Sequence, residues 1–97
     1  MTYRFDPDAT TELDEAIEWY QQRNEEAASH FIAAAEDTIS RAMAHPLIYR
    51  LRENQIRFCQ IDVFPYHLVF RLNEDHIEIF AIARRSRKPG YWQDRVS

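Results

Sequence analysis

The sequence predicts an α+β domain in which a hairpin of two helices packs on an antiparallel sheet. Through positions 7–45, apolar residues recur every three to four residues, a spacing that is typical of amphipathic helices. From Gln55 onward the spacing changes to two, which is typical of strands. The 97 residues contain no repeat, low-complexity tract or linker. They are therefore predicted to form one domain, 1–97.

The chain is expected to begin with a short strand at about Thr2 to Phe5 that leads directly into a helix. Alternation would bury Tyr3 and Phe5 on one face of that strand. Asp6 can serve as the N-cap of the helix, and Pro7 can take the first helical position, where its missing N–H costs nothing.

This first helix has one apolar stripe and several acids in its early turns. The acids are favoured there by the helix dipole, and we predict that they form a solvated face. They are Asp8, Glu12, Asp14 and Glu15. The stripe consists of Leu13, Ala16, Ile17 and Tyr20, with Trp19 on its flank.

A second helix is predicted to begin after Asn24, which can cap a first turn that contains Glu25 and Glu26. Pro46 ends it, because the residue before a proline resists helical geometry. With so short a link the two helices must form an antiparallel hairpin. The apolar stripe of the second helix is Ala28, Phe31, Ile32, Ala35, Ile39, Ala42 and Met43.

Three strands are predicted in the second half, joined by short links into an antiparallel meander. The first begins near Gln55, the second spans Tyr66 to Leu72 after a bend at Pro65, and the third spans His76 to Ala83. Both alternating faces of the last two strands are apolar, so both faces should be covered. The helical hairpin can cover one face, and the chain's own tail or a partner must cover the other.

Charge is distributed unevenly along the chain. The net charge is −4, which disfavours direct binding of nucleic acid by the isolated chain, because such binding usually needs a broadly basic face. Positions 1–45 hold ten acids and three bases, whereas positions 46–97 hold six acids and nine bases. Five of those cations lie in the segment 84–95. A fold does not require such a cluster, and this favours a functional basic end.

Several classes of protein are disfavoured by composition. Cys59 is the only cysteine, so an internal disulfide is impossible and a reducing cytoplasm is expected. No stretch approaches the roughly 20 apolar residues that span a bilayer, and no signal peptide is evident. Gly90 is the only glycine, which excludes glycine-rich phosphate loops. No spacing of His and Cys predicts a metal site, and no cofactor is expected.

The predicted order of elements, together with the basic and aromatic tail, resembles the RelE/ParE toxin superfamily of bacterial toxin–antitoxin modules. The resemblance is closest to the ParE-like, plasmid-stabilisation branch and covers nearly the whole chain. Its most specific parts are Phe64-Pro65-Tyr66 and the pattern Arg87-x-Pro89-x-Tyr91-Trp92-x-x-Arg95. It implies the toxin of a type II module, a cognate antitoxin as partner, and a RelE/ParE-like fold.

Members of the superfamily differ in their target. RelE-like toxins cut mRNA on the ribosome, whereas ParE-like toxins are associated with inhibition of DNA gyrase by protein–protein contact. When the chain is aligned on Tyr66, Phe58 and Gln60 fall near positions where RelE-like toxins carry lysines. This departure favours a non-enzymatic inhibitor. The alternative, a ribosome-dependent mRNA endonuclease, would use His67, Arg85, Arg87 and Tyr91.

The resemblance and the charge cluster together predict where a target binds. The predicted target-binding residues are Arg84, Arg85, Arg87, Lys88, Tyr91, Trp92 and Arg95. Three other interpretations stay open: the cations are a solvated strand end, Trp92 folds over the uncovered sheet face, and Arg95 pairs with an acid of the first helix. A degenerate toxin without activity is a further possibility.

Overall fold

The elements predicted from the sequence are present, in the predicted order, in the computed structural model, which describes residues 1–96. Strand β1 is followed by two helices and then by three further strands. Their bounds are β1 Thr2–Phe5, α1 Pro7–Arg23, α2 Glu25–Ala44, β2 Ile56–Ile61, β3 Tyr66–Leu72 and β4 His76–Arg84. Single 3-10 turns lie at Pro46–Ile48, Glu53–Gln55 and Gln93–Arg95.

Side-chain caps determine where the helices begin. The carboxylate of Asp6 accepts a hydrogen bond from the backbone N–H of Asp8 at 2.9 Å, as expected of an N-cap. Asn24 is the only residue between the helices, and its backbone is extended. Its N–H donates to the carbonyl of Tyr20, and its side chain accepts from the N–H of Glu26. One asparagine therefore ends α1, begins α2 and turns the chain into a hairpin.

The four strands form one sheet in the order β1-β4-β3-β2. The pairs β2–β3 and β3–β4 are antiparallel, which confirms the meander. The sequence predicted no partner for β1, which pairs in parallel with the first half of β4, from Thr2 opposite His76 to Phe5 opposite Ile79. The prediction that Tyr3 is buried is wrong, because β1 is an edge strand and leaves this side chain 48% exposed.

A β-bulge interrupts the pairing of β3 with β4. Val69 lies opposite Ala81, but the next residue, Phe70, lies opposite Ile79, so Phe80 is an extra residue on β4. A bulge shifts the alternation of side chains by one position. Ile79 therefore faces the helices, whereas Phe80 and Ala81 both face away from them.

The bulge allows β4 to contribute to two apolar cores on opposite faces of the sheet. The helix-side core includes Ala9, Ala16, Phe31, Ile39, Leu68, Phe70, Ile77, Ile79 and Ile82. Ile32 of the predicted stripe of α2 is 36% exposed and does not belong to it. The second core consists of Ile56, Val69, Phe80, Ala81, Ala83 and Trp92. The chain's own tail, through Trp92, thus covers the face that the helices leave open.

A single-pass or multipass membrane helix is not found in residues 1–96, since none of the helices there is both long enough and apolar enough to cross a bilayer.

Candidate functional site

Four cations crowd the turn that follows β4. We call Arg84, Arg85, Arg87 and Lys88 the basic turn; all four are exposed. The chain reverses here because the N–H of Arg85 donates to the carbonyl of Pro65 at 2.8 Å and that of Arg87 to the carbonyl of Arg84 at 3.0 Å. No ion pair within residues 1–96 includes any of these four side chains. The basic turn is therefore a concentration of positive charge that the fold leaves uncompensated.

Aromatic rings hold two of these cations in place. The guanidinium of Arg87 lies 4.0 Å from the ring centroid of Tyr91, and that of Arg84 lies 5.5 Å from that of Trp19. Such cation–π contacts stabilise an exposed arginine by about 0.5–1 kcal/mol without neutralising its charge. The turn is thus partly ordered while its charge remains available to a partner.

Gly90 redirects the chain from the basic turn into the tail. Its φ of +76° is a left-handed conformation that favours glycine. A Cβ at this position would lie 3.1 Å from the side chain of Gln93. This single glycine brings Tyr91 and Trp92 back onto the sheet directly after the four exposed cations.

The tail is fixed by Glu12, a residue whose role the sequence did not reveal. Its carboxylate accepts hydrogen bonds from the hydroxyl of Tyr91 at 2.6 Å and from the backbone N–H of Ile82 at 3.1 Å. The guanidinium of Arg95 forms a bidentate ion pair with the Glu12 carboxylate, with N–O distances of 2.9 and 3.1 Å. The side chains of Glu12 and Arg95 are only 12% and 16% exposed. The prediction that Glu12 belongs to a solvated face is wrong, whereas the predicted pairing of Arg95 with an acid of the first helix is confirmed.

This ion pair satisfies backbone groups that lack a strand partner. Strand β1 ends at Phe5, opposite Ile79, so in the described part of the chain no strand pairs with β4 on that side from the bulge onward. Glu12 accepts from the N–H of Ile82 there, and Arg95 donates to the carbonyl of Phe80 at 2.9 Å. Buried backbone polar groups need such partners. The Glu12–Arg95 pair therefore provides the hydrogen-bond partners that a neighbouring strand would provide, and it also anchors the tail.

The titration of the two groups bonded to Glu12 follows from this contact. Burial, and then the hydrogen bond to the Glu12 carboxylate, raise the pKa of the Tyr91 hydroxyl above its ordinary value. The hydrogen bond to Glu12 also raises the pKa of Arg95, against the opposing effect of burial. Tyr91 thus stays protonated, and Arg95 stays charged, across the physiological pH range.

The residues predicted to bind a target occupy different environments. Arg84, Arg85, Arg87 and Lys88 lie exposed in the basic turn, and Tyr91 is half-buried. Trp92 is only 8% exposed, and its ring meets that of Phe58 edge to face at 5.8 Å. This confirms that Trp92 folds over the sheet. The role of the seven residues in target binding stays a prediction.

The four residues that an endonuclease would use line one cleft of about 140 Å³ beside the basic turn; they are His67, Arg85, Arg87 and Tyr91. Burial lowers the pKa of His67, and the charges of Arg52 and Arg85 lower it further, so the ring is neutral near pH 7. Within residues 1–96, no carboxylate forms a hydrogen bond that would orient this ring. The hydroxyl of Tyr91 is already bound to Glu12.

The position of Glu12 in the first helix is the signal that would have revealed it. Ala9 and Ala16, one turn before and one turn after it, are both buried, and residues three or four apart share one helix face. An acid between two small buried residues is not on a solvated face.

Within residues 1–96 no group of His, Cys, Asp and Glu side chains is placed to hold a metal ion.

Comparison with known proteins agrees with this architecture. The family described as "ParE toxin of type II toxin-antitoxin system, parDE" matches residues 3–89. A solved structure of the chromosomal ParDE TA system from P. aeruginosa is similar with a TM-score of 0.64, over 87% of this chain and 95% of that chain, at 21% sequence identity. At this identity the likeness shows the fold alone. No curated protein is significantly similar in sequence.

Proposed function

Because this chain belongs to the family of ParE toxins of type II toxin–antitoxin systems, we propose that it arrests growth by binding a protein target through its basic turn. DNA gyrase is the target that the ParE-like resemblance suggests, and inhibition of gyrase would place the toxin in the cytoplasm. A toxin of this kind needs a contact surface and no catalytic group, so we propose that it is not an enzyme.

The observation that carries this proposal is the contrast between two sets of cations. The guanidinium of Arg95 is bound inside the fold, to the carboxylate of Glu12 and the carbonyl of Phe80. The cations of the basic turn have no acidic partner within residues 1–96 and lie exposed at a position that the anchored tail fixes. Like charges held close together repel each other and contribute little to stability. Their concentration therefore favours a role in binding an acidic surface of another molecule.

A cognate antitoxin is the second proposed partner, and its support is the family of the chain, which is defined by type II toxin–antitoxin systems. The sequence left open whether the tail or a partner covers the second sheet face, and Trp92 of the tail covers it. Exposed apolar side chains remain elsewhere, among them Leu47, Ile48 and Val63, and such side chains are typical of interfaces when they cluster.

Co-expression with the product of a short neighbouring gene should restore growth, and the two proteins should co-purify as a tight complex. The physical reason is that an antitoxin must compete with the target for the toxin. Growth curves and size-exclusion chromatography provide the measurement. A stable monomer with no affinity for that product would count decisively against the proposal.

A second candidate function, ribosome-dependent cleavage of mRNA, is favoured by one observation. The residues His67, Arg85, Arg87 and Tyr91 line a common cleft. However, Phe58 stands near one of the positions where RelE-like toxins carry lysine, and its ring lies 4.7 Å from that of His67. The other such residue, Gln60, binds the carbonyl of Phe64 at 2.7 Å. The cleft has cations for a phosphate, but Phe58 and Gln60 cannot take or give a proton as the lysines of RelE-like toxins do.

We therefore expect that the purified protein does not cut ribosome-bound mRNA at the rate of a RelE-like toxin. Loss of a general base typically costs about 10²–10⁴-fold in rate, and loss of a charge stabiliser costs about 10²–10³-fold. Primer extension on mRNA bound to ribosomes measures this directly. Codon-specific cleavage that disappears in Tyr91→Phe or His67→Ala would make the endonuclease the better assignment.

A further inference from the structure

A groove beside the basic turn extends the surface on which the function proposed above depends, so a role for it rests on that proposed function. It runs between the loop 50–54 and the tail and has a volume of about 460 Å³. Ile56, Phe58 and Trp92 form its apolar wall. On the loop side stands Leu51, an apolar side chain that is 51% exposed, between the cations Arg50 and Arg52. We call this the loop–tail groove.

The loop that forms one side of this groove is held in place by three contacts. Arg57 donates a hydrogen bond to the carbonyl of Tyr49 at 2.6 Å. The backbone N–H of Arg52 donates to the carbonyl of Ile56 at 2.8 Å, and the guanidinium of Arg52 lies 4.1 Å from the ring centroid of Phe58. A binding surface that is already ordered loses less entropy when a partner docks.

The same loop contains two consecutive residues in a left-handed backbone conformation. Asn54 has a φ of 57° and Gln55 a φ of 67°. Asparagine adopts this region readily, but it is uncommon for other residues that carry a Cβ. Strain of this kind often marks segments where function requires one particular backbone path. Here the path places Leu51 and Arg52 across the groove from Trp92.

The loop–tail groove continues into the smaller cleft beside the basic turn, since Phe58, Pro89, Gly90 and Trp92 line both. Together the two clefts are lined by six cations and one acid, Glu53. The cations are Arg50, Arg52, Arg84, Arg85, Arg87 and Lys88. None of them takes part in an ion pair within residues 1–96. Positive charge thus follows the whole length of a path whose floor is apolar.

We propose that the loop–tail groove binds an extended acidic segment of a protein partner, with its carboxylates along the cations and one apolar side chain against the exposed Leu51. A single-stranded nucleic acid fits this surface less well, because it needs open aromatic faces on which bases can stack. Trp92 is 8% exposed and Arg52 already covers the ring of Phe58. The apolar anchor and the acidic flanks together define the ligand.

The test uses a fluorescein-labelled peptide of alternating Asp and Glu with one central Leu, and fluorescence anisotropy with the purified full chain. The wild type should bind it with an affinity that falls as salt rises. Arg50→Ala/Arg52→Ala and, separately, Leu51→Asp should each weaken binding at least tenfold. Arg4→Ala, on the far edge of the sheet, is the control and should change nothing. Thermal melting should show that all variants are folded, since the substituted residues are exposed.

A second peptide, with Ala in place of the central Leu, tests the apolar anchor. The wild type should bind this Ala peptide at least fivefold more weakly than it binds the Leu peptide. The Leu51→Asp variant, which lacks the apolar anchor, should bind the two peptides equally. Three results would overturn the proposal: unchanged binding in both groove variants, equal binding of the two peptides to the wild type, or tighter binding of a single-stranded RNA of equal charge.

Discussion

Replacing Arg85 and Arg87 together by alanine should abolish growth arrest and leave the fold intact. Both side chains are exposed and lack an acidic partner within residues 1–96. Substitutions at such positions usually change stability by no more than about 0.5 kcal/mol. Loss of the contact between Arg87 and the ring of Tyr91 adds about 0.5–1 kcal/mol to this destabilisation. The measurement is growth after induction, together with the free energy of unfolding of the purified variant.

Arg4→Ala provides the matched control for this experiment. Arg4 is also an exposed arginine, but it lies on β1, opposite Glu78 in the first half of β4 and far along that strand from the basic turn. Loss of one arginine there should leave growth arrest complete. Full toxicity of the double variant, at normal protein levels, would show that the basic turn is not the working surface.

Trp92→Ala should destabilise the protein by about 3–5 kcal/mol, as truncation of a large buried aromatic side chain does. Trp92 is buried on the face of the sheet that the helices do not cover, together with Val69, Phe80 and Ala83. Typical domains are stable by only about 5–15 kcal/mol, so much of the margin would be lost. Chemical denaturation of wild type and variant measures the difference.

Trp19→Ala is the control for the loss of a tryptophan as such. Trp19 is 37% exposed on α1, where Arg23 lies over its ring at 3.6 Å. Its replacement should destabilise the protein less than Trp92→Ala does, since more of the Trp19 side chain is already exposed and alanine favours a helix. A Trp92→Ala variant that melts like the wild type and yet loses toxicity would instead make Trp92 a contact for the target.

Local signals in the sequence were sufficient to predict most of the secondary structure. Asp6, Pro7 and Asn24 cap or begin helices through contacts with residues within four positions, so their effect is readable without knowledge of the fold. The four cations of the basic turn were found in the same way, because they are adjacent in sequence. These features depend on residues that are close in the sequence, and they were predicted correctly.

Most features that depend on distant contacts were not predicted, although the open interpretations included Trp92 over the sheet and Arg95 paired with an acid of the first helix. The bulge at Phe80 lies within a run of apolar residues, where a shift in alternation leaves no mark on the sequence. The parallel pairing of β1 joins residues at opposite ends of the chain. Which acid pairs with Arg95 was not predicted, because Glu12 lies 83 residues away in the sequence. At the loop–tail groove, likewise, Leu51 faces a wall formed by the distant Trp92.

These distant contacts explain how a small domain presents its basic turn. Strand β4 brings the chain to the turn, Gly90 reverses it, and Trp92 and the Glu12–Arg95 pair fix the far side. The turn is therefore held at both ends by buried interactions, although its own side chains are exposed. A segment that is held at both ends in this way loses less entropy on binding a partner than a free segment does.

The most direct test of the account is a cleavage assay with purified DNA gyrase, supercoiled plasmid and the toxin, scored as linear DNA after denaturation and protease treatment. The wild type should increase the amount of linear DNA in proportion to its concentration, and Arg85→Ala/Arg87→Ala should leave it at the level without toxin. A wild-type protein that has no effect on gyrase but cuts ribosome-bound mRNA would contradict the proposed function.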